Sequence, residues 1–168
     1  NVLCHLPLYH VAGSVATVMP AMQHGATIVT MDHWEPAAAI DLIERERINI
    51  MGGIPTHFID MLSVSGVEAR DTHCLKSAWI GGAPVTPKLA RQAKDILNFD
   101  ALQAVYGLTE TMGGTTLSEF DAPIEVTCEN KGKPLVLHHC WTKTCKNDNI
   151  CQVLGDSRSE IAIFTMIF

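Results

Sequence analysis

The chain of 168 residues is long enough for one domain with a hydrophobic core, and hydrophobic residues make up 47% of it. Acidic residues outnumber basic ones by 18 to 12 without any cluster of Lys and Arg, which excludes a nucleic-acid or anionic-membrane surface as the main role. The longest apolar stretch, residues 15–22, is too short to cross a bilayer and contains Pro20, so we expect no transmembrane segment.

Short apolar runs alternate with helix-like segments along the first part of the chain. The runs end at Gly, Pro or polar residues, as expected for buried strands. They cover residues 2–6, 26–31, 48–51, 77–80 and 101–106.

Helix signals lie between these runs. One helix is predicted to begin at Pro36, where apolar residues follow at helical intervals. A second is predicted with Thr86 as its N-cap and Pro87 as its first residue. Gly25 predicts the C-terminus of a further helix.

Strands that alternate with helices need crossover connections, and these favour a mostly parallel sheet flanked by helices. The sequence therefore predicts the α/β class. After about residue 119 polar residues accumulate and helical periodicity is lost. We expect an α/β core over residues 1–118 and an incomplete, divergent β-rich segment over residues 119–168.

Unusual turns follow several of the predicted strands. Their sequences are LPLYHVAG, GGIPTHF, GGAPVTP and YGLTETMGG. Because ligands of open α/β sheets bind beyond the carboxyl ends of the strands, we expect these turns to be neighbours at one edge.

The residue types in these turns suit a nucleotide. Gly81 and Gly82 allow backbone N–H and C=O groups to approach a flat ring or a phosphate. Tyr106 offers an aromatic face, Thr109 a neutral hydroxyl, and Glu110 a hard oxygen ligand of the kind that Mg²⁺ prefers. The turns therefore predict a site for a nucleotide and a magnesium ion.

The motifs LPLYHVAG, GGAPVTP and above all YGLTE resemble those of the adenylate-forming (AMP-binding) superfamily, and within it the acyl-CoA synthetases. The likeness covers residues 2–118 and weakens afterwards to GKPL at residues 132–135 and SEIAI at residues 159–163. It implies a fragment of the large N-terminal domain of an ATP-dependent, AMP-forming ligase. Such a ligase activates a carboxylic acid, here expected to be a fatty acid, to an acyl-adenylate and then transfers it to coenzyme A.

The resemblance also implies roles for individual residues. Glu110 would coordinate Mg²⁺, and Thr109 would bind phosphate oxygens, so that both serve the catalytic step. The nucleotide would contact Gly81, Gly82, Ala83, Pro84, Gln103, Tyr106, Gly107 and Thr109. The acyl group would contact His10, Gly82, Met112 and Gly113.

Parts of the family's pattern are missing from this sequence. The Ser/Thr/Gly-rich phosphate loop with its lysine, which precedes this region in the family, is absent. The ribose-binding acid, the hinge and the catalytic lysine are not identifiable, and Asp156 stands before the EIAI-like strand rather than after it. We expect a piece of a longer protein that is inactive in isolation.

Simpler interpretations stand beside these roles. Glu110 can be a solvated turn carboxylate, Tyr106 a packing aromatic and His10 a hydrogen-bonded residue after a strand. His57 and Met112 are expected to pack rather than to catalyse. For the whole chain, the alternative is a non-catalytic fragment or pseudoenzyme that serves as a nucleotide-binding or interaction module.

The cysteines give two further expectations. Cys4, Cys74 and Cys128 are scattered beside apolar residues, which indicates reduced thiols in a cytoplasmic protein. The tail holds residues of the types that bind zinc, namely His138, His139, Cys140, Cys145 and Cys151. Their spacing fits no tight zinc knuckle, so a variable or divergent β-rich stretch is favoured over a zinc site, and a disrupted reading frame is the remaining alternative.

Overall fold

A seven-stranded sheet organises the computed structural model, which describes residues 1–129 and 132–134. The strands are β1 Val2–Cys4, β2 Ile28–Thr30, β3 Ile50–Gly53, β4 Ser77–Gly81, β5 Ala101–Tyr106, β6 Thr116–Leu117 and β7 Lys133–Pro134. They lie in the order β2-β1-β3-β4-β5-β6-β7. The first five are parallel, and β6 and β7 add antiparallel to one edge. The predicted α/β class with a mostly parallel sheet is confirmed.

Helices connect the parallel strands, as crossover connections require. They are α1 Val11–Gly13, α2 Met19–Gln23, α3 Pro36–Glu46, α4 Pro55–Leu62 and α5 Pro87–Leu97. A further helix, α6 Ile124–Glu129, lies between the antiparallel strands β6 and β7. A π-helical turn, Ser14–Val18, joins α1 to α2. Proline suits the position after this turn because Pro20 has no N–H to donate along a helix. No helix within the described ranges is both long and apolar enough to cross a bilayer.

The predicted starts of α3 and α5 are confirmed by their caps. Glu35 accepts hydrogen bonds from backbone N–H groups in the first turn of α3. Thr86 accepts one from the N–H of Leu89, at 3.3 Å. Arg47 and Asn98 end the two helices in the left-handed conformation, with φ of 50° and 59°. Each helix is therefore delimited by local side-chain and backbone chemistry rather than by packing alone.

The hydrophobic core lies on one face of the sheet. Alternate strand residues such as Met51, Ile80 and Leu102 point into it, where the buried faces of α3, α4 and α5 pack. The intervening residues, Trp79 and Val105 among them, point to the opposite face. The two faces consequently serve different purposes, since one stabilises the fold and the other borders a cavity.

The helices α4 and α6 are not predicted by the sequence pattern. GGIPTHF has the composition of a turn, yet Pro55 opens α4, whose Phe58 and Met61 are fully buried. The loss of helical periodicity expected after residue 119 does not extend to α6, whose 6 residues span too few turns to show a pattern. The zinc-type residues of the tail, Asp156 and the SEIAI segment lie outside the described residues.

Candidate active site

A cavity of about 350 Å³ opens at the carboxyl edge of the parallel strands. Its walls come from the turns that follow β1, β3, β4 and β5, together with α1 and the π-helical turn. Residues that represent these segments are Leu6, His10, Ile54, Gly82, Leu108 and Glu110. The structure thus brings together turns that are far apart in the sequence, as the parallel topology predicts.

The floor of the cavity is formed by the sheet itself. Gly81 and Val105 are directly opposite each other on β4 and β5. A Cβ atom at residue 81 would lie 2.4 Å from Val105 Cγ1 and 2.5 Å from the Val105 carbonyl oxygen. Glycine is therefore required at this position for Val105 to line the cavity. Trp79, two residues earlier on the same face of β4, extends the apolar floor towards β3.

The loop after β5 holds polar groups at the mouth. Leu108 donates its N–H to Thr111 Oγ1 at 3.0 Å, and its carbonyl oxygen accepts the N–H of Gly113 at 2.9 Å. A Cβ atom at Gly107 would lie 1.8 Å from the Gly113 carbonyl oxygen, and Gly113 has φ 91°. The loop is thus a tight, internally bonded turn that only glycine permits at these two positions.

Thr109 and Glu110 lie at the tip of this turn, in the 3₁₀ helix Thr109–Thr111. Both side chains are exposed and line the cavity, and neither has a hydrogen-bond partner within the part of the chain that the structure describes. A hydroxyl and a carboxylate are therefore available to a ligand.

His10 contributes a third polar group. It is the N-cap of α1, where its Nδ1 accepts the N–H of Ala12 at 3.1 Å. A neutral His10 in this arrangement carries its proton on Nε2, which leaves one N–H donor for a ligand in the cavity. The bond to Ala12 also fixes the ring at the wall.

The charged side chain in the cavity lining is acidic. Glu110 is the one carboxylate of the cavity, and none of the described residues that line it is Lys or Arg. An anionic ligand therefore finds no cationic side chain here and needs a cation that it brings itself or that another part of the protein supplies.

The structure separates the predicted site residues into two groups. Those that line the cavity are His10, Gly81, Gly82, Gly107, Thr109, Glu110 and Gly113. Those that do not are Ala83, Pro84, Gln103, Tyr106 and Met112. In the second group Tyr106 is 50% and Met112 55% exposed, whereas Gln103 is buried. The amide nitrogen of Gln103 donates to the Ser118 carbonyl oxygen at 2.7 Å, and its Oε1 has no partner among the described residues.

Several apolar wall residues are not singled out by the sequence. The sequence predicts only that Trp79 and Val105 are buried in strands. Leu6 and Ile54 lie in turns where the predicted ligand site rests on the glycine and polar residues. The alternation of side chains along β4 places Trp79 opposite the core face, and this signal could have identified it.

Comparison with known proteins connects this architecture to a family. The sequence profile described as "AMP-binding enzyme" matches residues 1–140. The chain is 31% identical over 128 residues to a mitochondrial medium-chain acyl-CoA ligase from Bos taurus, and the match covers 76% of this chain. It is 33% identical over 135 residues to a methyl-dioxo-octahydroindenyl propanoyl:CoA ligase from Mycobacterium tuberculosis, over 79% of this chain.

Solved structures show the same likeness. The inhibitor-bound N-terminal domain of FACL13 from Mycobacterium tuberculosis superimposes with a TM-score of 0.70 at 27% identity, over 79% of this chain and 32% of that chain. O-succinylbenzoate coenzyme A synthetase from Bacillus subtilis, in complex with ATP and magnesium, shares the fold at 23% identity and a TM-score of 0.65, over 80% of this chain and 27% of that chain. The chain spans 21% of the bovine ligase and 26% of the mycobacterial ligase in length.

Proposed function

The chain belongs to the family of AMP-binding enzymes, and from this membership we propose that it forms part of an acyl-CoA synthetase. In this reaction a carboxylate oxygen attacks the α-phosphorus of ATP, giving an acyl-adenylate and pyrophosphate. The thiol of coenzyme A then attacks the acyl carbon, and AMP leaves. The observation that carries the proposal is the convergence of Gly82, Thr109, Glu110 and His10 on one largely apolar cavity.

The cavity walls suit the acyl part of a carboxylic acid. Leu6, Ile54, Trp79 and Val105 provide apolar surface, and burial of a hydrocarbon chain against such surface contributes about 0.8 kcal/mol per methylene. We propose a fatty acid or a similarly apolar acid as the substrate. The Nε2 proton of His10 would then be available to the carboxylate.

Magnesium fits the residues at the mouth. The Glu110 carboxylate has no partner among the described residues and lies in a cavity whose described lining lacks Lys and Arg. Such a donor suits a hard cation that accompanies phosphate groups. When bound, the ion neutralises negative charge on the phosphates. Glu110 would hold it, and the Thr109 hydroxyl would donate a hydrogen bond to a phosphate oxygen.

We place the nucleotide outside the acyl cavity. The exposed Ala83, Pro84 and Tyr106 follow the ends of β4 and β5 and border the same edge of the sheet. The half-exposed ring of Tyr106 offers an aromatic face to a base. Gln103 is proposed to contact the nucleotide through its side-chain oxygen Oε1, which has no partner in the described part of the fold.

A cytoplasmic location is part of the proposal. It is supported by the free, buried thiols of Cys4 and Cys74, which suit a reducing compartment. The bovine relative, in contrast, is described as mitochondrial.

Magnesium-dependent binding of ATP to the chain tests the site. Calorimetric titration with and without Mg²⁺ should show tighter binding with the metal. Glu110→Gln should abolish that difference, whereas Asp121→Asn, which removes an exposed carboxylate outside the cavity, should preserve it. Equal ATP affinity in the wild type and Glu110→Gln would count against the assignment.

The lack of Lys and Arg among the described residues of the cavity wall supports the alternative of a non-catalytic nucleotide-binding module. Mass spectrometry of mixtures with ATP and a panel of carboxylic acids separates the two functions. Detection of an acyl-adenylate supports the ligase. Nucleotide binding without adenylate from any acid, in a chain completed at both ends, supports the module.

A further inference from the structure

The buried His5 and the half-buried His57 form a pair on the core face of the sheet. His5 follows β1 directly and is only 7% exposed, and His57 lies in the first turn of α4. The His5 Nε2 and His57 Nδ1 atoms are 3.1 Å apart, and the two rings meet edge to face. The pair therefore joins the end of one strand to the helix that follows another.

The surroundings of the pair are closely fitted. The Trp34 ring centroid lies 4.6 Å from that of His5 and 4.5 Å from that of His57. A Cβ atom on Gly53 would come within 2.8 Å of His57 Nδ1, so glycine is needed at residue 53. Trp34 is held in turn by a 2.9 Å hydrogen bond from its Nε1 to Asp60. The imidazoles are thus enclosed by fixed groups.

The hydrogen bonds assign the tautomers. The backbone N–H of Ile54 points at His57 Nδ1 at 3.4 Å, so this nitrogen is an acceptor. His5 must then carry its proton on Nε2 and donate it to His57. His5 Nδ1 is left as a bare lone pair, which agrees with its lack of any partner among the described residues.

Residues next to the pair, either in sequence or by a hydrogen bond, line the cavity. Leu6, the neighbour of His5, and Ile54, whose N–H contacts His57, both line it. We propose that the His5–His57 pair is a pH-sensitive latch that holds Leu6 and Ile54 in the cavity wall and releases them when His57 is protonated.

Protonation removes the acceptor on which the latch depends. A proton on His57 Nδ1 would face the N–H groups of both His5 and Ile54. Reversal of the His5–His57 bond would require a proton on His5 Nδ1, where a buried N–H would have no acceptor among the described residues. The neutral arrangement is therefore the one that the site can satisfy.

The titration order follows from the surroundings. Burial lowers the pKa of both histidines, and the neighbouring His57 lowers the pKa of His5 further, to about 3. Asp60, the charged group that faces the pair from α4, acts in the opposite direction on the pKa of His57. His57 is also the less buried of the two, so it accepts the first proton as the pH falls.

The latch is independent of which ligand fills the cavity. Its test is hydrogen–deuterium exchange of the 168-residue chain at about pH 7.5 and about pH 5, corrected for intrinsic exchange. In the wild type, peptides that contain residues 6–10 and 54–57 should lose protection at the lower pH, by on the order of tenfold. Peptides from α5 should keep their protection, because global unfolding is not the proposed event.

Matched variants isolate the titration. His57→Asn places an amide oxygen close to the position of Nδ1, and His5→Gln places an amide N–H close to that of Nε2. Both should keep the protection seen at the higher pH. His57→Asn should lose the pH dependence of that protection because the titrating ring is gone, whereas His5→Gln retains His57 and should keep it. His57→Leu should lose protection at both pH values.

These variants also separate the latch from the titration of His10 at the cavity wall. His10 is retained in every variant, so a pH dependence caused by His10 would persist in all of them. If His57→Asn responds to pH as the wild type does, the latch is overturned. Uniform loss of protection that includes α5, or full protection in His57→Leu, would overturn it as well.

Discussion

The indole of Trp79 occupies the space that a side chain would need at Gly52, its partner in the register of β3 and β4. A Cβ atom at residue 52 would lie 1.8 Å from Trp79 Cε2 and 2.0 Å from its Nε1. The wall of the cavity is thus set by a glycine on the neighbouring strand.

Gly52→Ala should displace this indole towards the cavity. Because the methyl group overlaps ring atoms that pack against the sheet, we expect a loss of about 1–3 kcal/mol in the free energy of unfolding, measured by chemical denaturation. Gly25→Asn is the control, since residue 25 has open space around it and asparagine tolerates its φ of 65°. Equal stability of the two variants would contradict the overlap.

Trp79→Leu should change which acids the cavity accepts, given the proposed function. Removal of most of the indole deepens the floor towards β3, so longer or bulkier carboxylic acids should gain affinity relative to short ones. Calorimetric titration with saturated acids of increasing length measures this ratio. Trp79→Phe keeps an aromatic ring and should shift the ratio less. An unchanged ratio in Trp79→Leu would remove Trp79 from the acyl pocket.

Thr86→Ala should destabilise the chain by about 1 kcal/mol, because the Leu89 N–H in the first turn of α5 loses its acceptor. Thermal or chemical denaturation provides the measurement. Thr86→Ser retains the hydroxyl and should be close to the wild type. If alanine and serine are equally tolerated, the cap contributes nothing to stability.

Local signals explain what the sequence predicts well. Pro36 and Pro87 mark the first residues of α3 and α5, and apolar runs closed by glycine or polar residues locate the five parallel strands. The helix starts and strand positions are determined by residues close together in the sequence. The α4 helix escapes prediction because Pro55 follows a glycine pair that resembles a turn, and the burial of Phe58 becomes visible only in the packed structure.

The candidate site is predictable where backbone topology decides it. Gly82 and Glu110 meet at one cavity because both follow parallel strands. What the sequence does not show is which face of the sheet borders the cavity. Trp79 and Val105 line it because alternate strand residues share a face, and Tyr106, the neighbour of Val105, does not line it.

The stability of the chain should depend on pH through His5. Its pKa falls from the ordinary value of 6.5 to about 3 on folding, because burial and the nearby His57 disfavour the charged ring. Between these values the unfolded chain binds more protons than the folded chain, so the free energy of unfolding rises with pH. The contribution is complete above 6.5 and is lost progressively as the pH falls towards 3.

Urea denaturation at a series of pH values from about 4 to about 8 measures how the free energy of unfolding changes with pH. A difference of one unit between the His5 pKa values of the folded and unfolded chain corresponds to about 1.4 kcal/mol. His5→Gln keeps a donor for His57 but does not titrate, so its profile should be flatter than that of the wild type by this contribution. The carboxylates and the histidines that do not contact residue 5 are common to both proteins and cancel in the difference. His57 contacts residue 5, so the difference reports the titration of the pair. Parallel profiles would contradict the lowered pKa of His5.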